Sequence, residues 1–503
     1  MGEQSAVEQV GIEQFGIEQV GVERKRLFIG GEWADPSTDG AIDVVSPHTG
    51  EVIASVAGAA PADADRAVAA ARAAFDDGPW PRLDPAERAA AVRRLAALYK
   101  GRRGDMARLI TAEMGAPITF SKFSQATLPM VLLKAFADIA GTVAWERARP
   151  GMFGADVLVR KEPVGVVAGI VPWNMPQFLL VGKLAPALVA GCTIVVKPSP
   201  ETPLDALLLA ELVAEAGLPP GVVSILPAGP DVGRHLVAHH GVDKVSFTGS
   251  TAAGRDVARA CGAALKRASL ELGGKSAAIV LDDADPAAVA AGIKVAGLMN
   301  SGQACVAQTR VLVPRGRYAE HVDALADMVA SLRVGDPSDP ATEIGPLVAR
   351  RQQERVLGYI AAGRSEGARV VVGGDGMPDG LDRGWYVRPT LFADVDNAMR
   401  IAREEIFGPV LSVIAHDGDD DAVAIANDSE YGLSGSVWTA DADRGLRVAR
   451  GVRTGSFGVN QPYSMDPAAP FGGMKASGVG RELGPEGLDG YLESKAISLA
   501  AEG

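Results

Sequence analysis

Val164-Gly165-Val166-Val167-Ala168-Gly169-Ile170-Val171 is a run of eight residues without a polar side chain. A strand buried on both faces reads this way, as parallel strands in α/β sheets do. From here the chain alternates. After an intervening helical stretch the sequence predicts strand 193–197, helix 204–216, strand 222–226, helix 232–239, strand 244–248 and helix 252–264. Strand and helix in turn at this spacing predict a doubly wound parallel sheet. Such sheets bind ligands at the carboxyl ends of their strands. A second alternating set follows: strand 277–281, helix 287–300, strand 310–313, and later strands 410–414 and 435–439. The fold class is α/β with two such domains.

Upstream, Leu27-Phe28-Ile29-Gly30-Gly31-Glu32-Trp33 looks like the start of a hairpin. A helix begins near Pro61, with Asp63 in its first turn, and stops before Gly78. Asp84-Pro85-Ala86-Glu87 announces the next: Asp as N-cap, Pro at the first position and Glu reaching back. That helix is expected to end near Lys100, before Gly101. Residues 147–159 and 491–499 are short extended pieces outside both alternating sets. The first 24 residues repeat with period five, as in Ile12-Glu13-Gln14-Phe15-Gly16 and Ile17-Glu18-Gln19-Val20-Gly21. Five fits neither the helical nor the strand period, so this segment reads as a poorly ordered tail.

The chain has 503 residues, roughly three domains' worth at about 150 each. Hydrophobic residues make up 47%, enough apolar surface to exclude wholesale disorder. With 49 Lys+Arg against 62 Asp+Glu, the net charge is −13 and no basic block exists. Nucleic acid is therefore excluded as a partner. Three cysteines cannot build a disulfide framework and point to a reducing compartment. The N-terminus shows no cationic region followed by an apolar one. The most apolar window, 178–196, is broken by Lys183, Pro186 and Gly191, so it reads as buried helix, turn and strand rather than a membrane span. A cytoplasmic protein without membrane partners is expected.

Several motifs fail. Gly249 to Asp256 nearly spells a P-loop, but Arg255 and Asp256 replace the Lys and Ser/Thr that phosphate and magnesium require. Gly363-Arg364-Ser365-Glu366-Gly367 matches a nucleophile elbow, yet it follows a predicted helix, 352–362, and reads as a helix C-cap. Among six histidines only His239 and His240 are close, and adjacent residues on a helix point apart, so no metal site is expected. No G-x-G-x-x-G occurs. Cys192 enters a strand and Cys261 lies on a predicted helix; both read as small buried hydrophobes. Cys305 follows Asn300-Ser301-Gly302-Gln303-Ala304 in a glycine-flanked polar loop. Such a thiol is accessible, and backbone dipoles can lower its pKa. Context alone leaves nucleophilic and structural readings open.

Glu271-Leu272-Gly273-Gly274-Lys275-Ser276, followed by Gly302-Gln303-Ala304-Cys305, closely resembles the active-site signatures of the aldehyde dehydrogenase superfamily. Further blocks occur in the family's order: Val171-Pro172-Trp173-Asn174-Met175-Pro176, Lys197-Pro198-Ser199, Phe247-Thr248-Gly249-Ser250, Glu404-Glu405-Ile406-Phe407-Gly408-Pro409 and the segment Pro470 to Gly478. Together they span nearly everything from Leu27 to Lys495. The resemblance implies a Rossmann-like cofactor domain (25–144 and 165–273), an α/β catalytic domain (274–476) and a small β oligomerisation element (145–164 and 477–503). It implies a homodimer or homotetramer, the short C-terminus leaning to the tetramer.

It also implies chemistry. Cys305 attacks an aldehyde carbonyl to give a thiohemiacetal. The Asn174 amide and the Cys305 backbone N–H hold the oxyanion. Hydride passes to NAD(P)+, and Glu271 activates the water that hydrolyses the thioester. Lys183 and Glu482 match proton-relay positions. Lys197 resembles the adenosine-ribose ligand, with Ser199 and Glu201 beside it. Gly229, Gly233 and Ser250 match segments passing the adenine and pyrophosphate. Val171, Pro172, Trp173, Phe247, Thr248, Gly249, Leu272 and Gly273 belong to the same cofactor set, and Glu405 and Phe407 match the nicotinamide end. One departure concerns cofactor choice. Many NAD-preferring members carry Glu three residues after the lysine; here that place holds Pro200, and Glu201 follows. NAD is preferred and NADP stays open. The substrate tunnel would comprise Met175, Phe178, Gly182, Met299, Tyr463, Met465 and Phe471. It carries no cation for a carboxylate or phosphate handle, so medium to long aliphatic or aromatic aldehydes are expected. Two other readings remain. CoA-acylating relatives typically lack the base glutamate, which is present here as Glu271. A catalytically silent structural relative would have lost Cys305 or Asn174.

Overall fold

Five parallel strands make the centre of the first sheet: Val166–Ile170, Thr193–Lys197, Val223–Ile225, Lys244–Thr248 and Arg267–Glu271. The structure is a computed structural model and describes residues 22–153, 155–462 and 465–500. Most of the N-terminal repeat, and Tyr463, lie outside the described residues. Numbered along the chain, the five strands lie in the order third, second, first, fourth, fifth. The order reverses beside the first strand, which opens a crevice at the carboxyl ends of the first and fourth. Four of the five strands are buried throughout, including the polar residues Thr193, Lys197, Ser224, Lys244, Ser246 and Thr248 among their apolar ones. Leu27–Ile29 and Glu32–Ala34 extend one edge as an antiparallel hairpin. At the other edge Gly478–Val479, from the far end of the chain, pairs antiparallel with Leu270 and Glu271.

The second sheet has seven strands. Thr390–Ala393, Val410–His416, Arg310–Pro314, Ala277–Val280, Gly435–Trp438 and Gly458–Val459 run parallel, in that order. Arg369–Val372 closes one edge antiparallel. A third sheet joins Glu146–Arg149, Val157–Pro163 and Leu492–Ser498, all antiparallel. The expected extended piece 147–159 is therefore a hairpin of two strands.

Three helix boundaries differ from expectation. The helix starting at Pro85 does not stop at Gly101 but runs to Met114, where Gly115 takes φ +82°. A glycine inside a helix costs about 1 kcal/mol. The last turns bury Met106, Leu109, Ile110 and Met114, each worth roughly 1.5–3 kcal/mol, and that burial wins. Helix Arg350–Ser365 likewise runs through Gly363. A Cβ there would come within 2.9 Å of Ile401 and 3.0 Å of Phe392, so the glycine serves close packing. The left-handed residue is Gly367, φ +96°. The helix expected over 287–300 ends at Leu298.

Helix Pro176–Ala190 is buried along its whole length, which explains the most apolar window of the sequence. Gly191, at φ +96°, turns it directly into strand Thr193–Lys197. Among the described residues no helix is long and apolar enough to cross a membrane.

Candidate active site

Glu271 ends the fifth strand of the first sheet, and its register partner is Thr248, the last residue of the fourth. Ile170 pairs with Lys197 on one side and Phe247 on the other. Parallel register thus sets Val171, Lys197, Thr248 and Glu271 along one rim. Helix Thr251–Ala263 starts at this rim, with the Ser250 hydroxyl accepting from Ala253 N–H at 3.3 Å. Its N-terminal amides and dipole favour an anion there.

Cys305 reaches the rim from the second sheet's side. After Leu298 the chain takes three left-handed residues in succession: Asn300, Ser301 and Gly302, with φ of 53°, 57° and 74°. For the two non-glycine residues this costs about 1–2 kcal/mol each. Packing holds them there. Asn300 Nδ2 donates to the carbonyls of Asn174 at 2.8 Å and Gln303 at 3.2 Å. Ser301 Oγ donates to Gly345 O and accepts from Gly345 N–H. Gly302 lies against the Gly408 carbonyl, where a Cβ would sit only 2.1 Å away. Asn174 Nδ2 donates to Gln303 O at 3.1 Å, and Gln125 Nε2 donates to Asn174 O at 2.9 Å. These bonds fix the Asn174 amide and the Cys305 loop to one another.

The electrostatics follow from burial. Both carboxylate oxygens of Glu271 are buried without a hydrogen-bond partner. Desolvation, with the Glu482 carboxylate nearby, holds Glu271 well above the usual carboxylate range, against the pull of Lys183 and Arg481. Lys183 is fully buried; its ammonium donates to Thr248 Oγ1 at 2.7 Å and pairs with the Glu482 carboxylate. The Cys305 thiol departs from expectation. Desolvation, then Glu405 and Glu271, push it up to about 12, outweighing the backbone N–H groups that lower it. In this form the cysteine is a thiol, not a thiolate.

Cys305 lines a cavity of about 240 Å³ with Pro172, Trp173, Asn174, Thr248, Gly249, Ser250, Leu272, Gly273, Glu405 and Phe407. The Trp173 and Phe407 rings meet edge-on at 5.4 Å. Glu405 accepts from Gly274 N–H at 3.0 Å, and desolvation raises it to about 7. Two residues absent from the expected set also line this cavity, Gln352 and Arg355. Both come from helix Arg350–Ser365, which no motif marked.

The remaining expected cofactor residues gather elsewhere on the rim. Lys197 Nζ donates to the carbonyls of Pro198 and Ala228, each at 2.8 Å. Its carbonyl accepts from Val171 N–H. Burial brings its ammonium down to about 8. A Cβ on Gly233 would be 3.4 Å from Lys197 Cδ, so that glycine keeps the space beside the lysine open. Gly229 caps helix Pro230–Ala238. Ser199 Oγ donates to Glu201, whose other oxygen pairs with Arg351. Phe247 is buried under Gly249.

A second cavity, of about 670 Å³, includes Met175, Met299 and Met465 of the expected tunnel. Pro117, Phe120, Phe123, Leu128, Val295 and Ile344 complete its apolar wall. Phe178 and Phe471 are buried but not part of this lining, and Gly182 faces Glu482, 3.8 Å from where a Cβ would be. Lys294 lines the cavity too, contrary to the expectation of no cation, but its ammonium is paired with Glu343. Phe120 precedes, and Phe123 lies within, a π-helical turn, Ser121–Gln125, that sequence periodicity does not reveal.

The histidines also differ from expectation. Helix Pro230–Ala238 ends before His239, so the rings of His239 and His240 stack at 4.7 Å. His235 and His239 both reach Asp65 Oδ1, at 2.5 and 3.3 Å. His239 Nδ1 accepts from Gly241 N–H at 3.0 Å, which places its proton on Nε2, towards Asp65. A metal would need Nε2 bare, and we assign none.

The family model described as "Aldehyde dehydrogenase family" matches residues 33–497. The chain belongs to the aldehyde dehydrogenase family. It is 49% identical over 475 residues to geranial dehydrogenase of Castellaniella defragrans, covering 94% of this chain and 98% of that one. Among solved structures, a Mycobacterium tuberculosis aldehyde dehydrogenase complexed with NAD+ is 51% identical, with TM-score 0.94 over 95% of this chain and 99% of that one. An aldehyde dehydrogenase C variant of Pseudomonas syringae, complexed with NAD+ and octanal, is 44% identical with TM-score 0.91, over 94% and 96% of the two chains. The α/β fold with parallel sheets is that of the family.

Proposed function

We propose that this chain oxidises apolar aldehydes to carboxylic acids with NAD+, through a covalent intermediate on Cys305 hydrolysed with the help of Glu271. One observation carries the reading. Cys305 and Asn174 line one cavity with the phosphate-favouring helix start, and Glu271, an unpaired buried carboxyl at the strand end beside Thr248, is near enough to act on the thiol electrostatically. The dinucleotide fits what lines the cleft. The start of helix Thr251–Ala263 would hold its pyrophosphate, and Glu405 has an oxygen free of Gly274 for ribose hydroxyls. When bound, it supplies the hydride acceptor.

The residues then divide the work. Cys305 must lose its proton to attack, and a cationic ring near the thiol would favour that loss. Asn174 Nδ2 and the Cys305 N–H are placed to stabilise the oxyanion of the thiohemiacetal. Glu271, kept above the usual carboxylate range by burial, is suited to take a proton from water during thioester hydrolysis. Glu482 and Lys183, buried behind it, give that proton a polar route. The unpaired Glu271 favours water over CoA as the second nucleophile.

The apolar cavity supports medium or long aliphatic and aromatic aldehydes, as do relatives whose names refer to geranial and octanal. Each methylene it buries is worth about 0.8 kcal/mol, roughly fourfold in kcat/KM. The test is the absorbance of reduced cofactor across an aldehyde panel from two to ten carbons, with and without CoA. Efficiency should rise with chain length and not require CoA. Turnover of succinate semialdehyde or glyceraldehyde 3-phosphate alone would overturn the reading. A homo-oligomer, dimer or tetramer, is part of this proposal. Strand Leu492–Ser498 is an edge, bonded on one side only among the described residues, and such edges invite pairing. Light scattering tests it.

A further inference from the structure

Arg351 pairs with Glu201, four residues after Lys197, although it comes from helix Arg350–Ser365, outside the first sheet and its crossovers. Its Nη2 pairs with Glu201 Oε1, while Glu201 Oε2 accepts from the Ser199 hydroxyl. The Glu201 side chain is 18% exposed and that of Arg351 62%. So Glu201 is held from both sides, whereas Arg351 faces solvent with most of its fork unspent. A guanidinium has five N–H donors, and only one nitrogen is engaged here.

The charges at this end of the rim decide what an adenosine ribose can carry. A carboxylate beside the ribose accepts from a 2′-hydroxyl and repels a 2′-phosphate. Two acids are present, Glu201 and Asp231, and both act on Lys197. Lys197 spends two of its three donors on backbone carbonyls, which leaves one for a ligand. Arg351 supplies a second cation. It neutralises Glu201 without removing it as a hydroxyl acceptor, and its free edge matches the bidentate geometry of a phosphate.

We infer that Arg351 determines specificity at the adenosine 2′-position, so that the chain takes dinucleotides with a 2′-phosphate as well as those with a free 2′-hydroxyl. This rests on the dinucleotide reading above.

The test uses the adenosine ends alone, so it does not depend on turnover. Adenosine 2′,5′-bisphosphate and 5′-AMP are titrated calorimetrically into the full chain, the Arg351→Ala variant and the Glu201→Gln variant. Arg351→Ala should cost the bisphosphate at least tenfold more affinity than AMP. Glu201→Gln should shift the ratio the other way, favouring the bisphosphate by threefold or more. The ratio of kcat/KM for NADP+ to that for NAD+ should follow the same order. If Arg351→Ala weakens both nucleotides equally, or neither, the pair is structural and the inference falls. If neither nucleotide binds the unaltered chain, the dinucleotide reading falls with it.

Discussion

Gly302→Ala should separate a preorganised nucleophile loop from a merely convenient one. The new Cβ would lie 2.1 Å from the Gly408 carbonyl oxygen, where ordinary contact begins near 3.4 Å. Relief needs a shift of roughly 3.4 − 2.1 = 1.3 Å by backbone on one side or the other. The left-handed φ of +74° adds about 1–2 kcal/mol for a residue with a Cβ. Overpacking against backbone adds about 1–3 kcal/mol. The sum is about 2–5 kcal/mol of stability. Either movement damages the site: one displaces Cys305, the other displaces Glu405 and Phe407, which precede Gly408. A misplacement near 1 Å costs about 10²-fold in rate. Urea unfolding and steady-state kinetics on the folded variant read the two effects separately. Gly316→Ala, where a Cβ meets nothing within 4 Å, is the control. If Gly302→Ala unfolds within about 1 kcal/mol of the parent and keeps turnover within threefold, the loop is not held as described.

Gly101→Ala should do the reverse. The position lies inside helix Pro85–Met114 with nothing within 4 Å of a Cβ, so about 0.5–1 kcal/mol of added stability is expected; a loss in urea unfolding would contradict the helix there. Alkylation of Cys305 in the free enzyme should climb about tenfold per pH unit from 7 to 10 without levelling, because its thiol is raised to about 12 and the thiolate is the minor form throughout. A plateau near pH 8.5 would show an ordinary thiol, and oxidised cofactor should accelerate the reaction at pH 7. Lys183→Met leaves Glu482 buried without its cation and should cost about 3–5 kcal/mol in denaturant unfolding. Adding Glu482→Leu should recover most of that loss; no recovery would mean that the lysine acts through packing alone.

The parallel α/β sheet was legible because buried strands read as nearly continuous apolar runs, as at residues 164–171 and 194–196, whereas the strand order was not in the sequence. The Cys305 and Glu271 blocks were legible because seven motifs occur in one order. Other features depend on contacts that one sequence does not display. The helix through Gly101 survives on tertiary burial that outweighs a local propensity. The Cys305 thiol is raised first by burial in the folded chain and then by Glu405, 100 residues away in sequence, so its loop alone suggested the opposite shift. Arg355 and Gln352 enter the cleft on a helix whose pattern is ordinarily amphipathic. Phe120 and Phe123 line the larger cavity from a π-helical segment that no periodicity in the sequence marks.

The strand Gly478–Val479 has a consequence for biosynthesis. It closes the edge of a sheet whose other strands are complete by Glu271, and it pairs with that residue itself. The intervening 479 − 271 = 208 residues take about 10–40 s to emerge at roughly 5–20 residues per second. For that interval the nascent first sheet carries an open edge at its proposed catalytic carboxyl. All strands of the second sheet, through Gly458–Val459, leave the ribosome before the first sheet's edge is closed. A ribosome-bound chain stopped before residue 478 would therefore present an unpaired strand where the finished enzyme presents its base, a natural point of engagement for a chaperone.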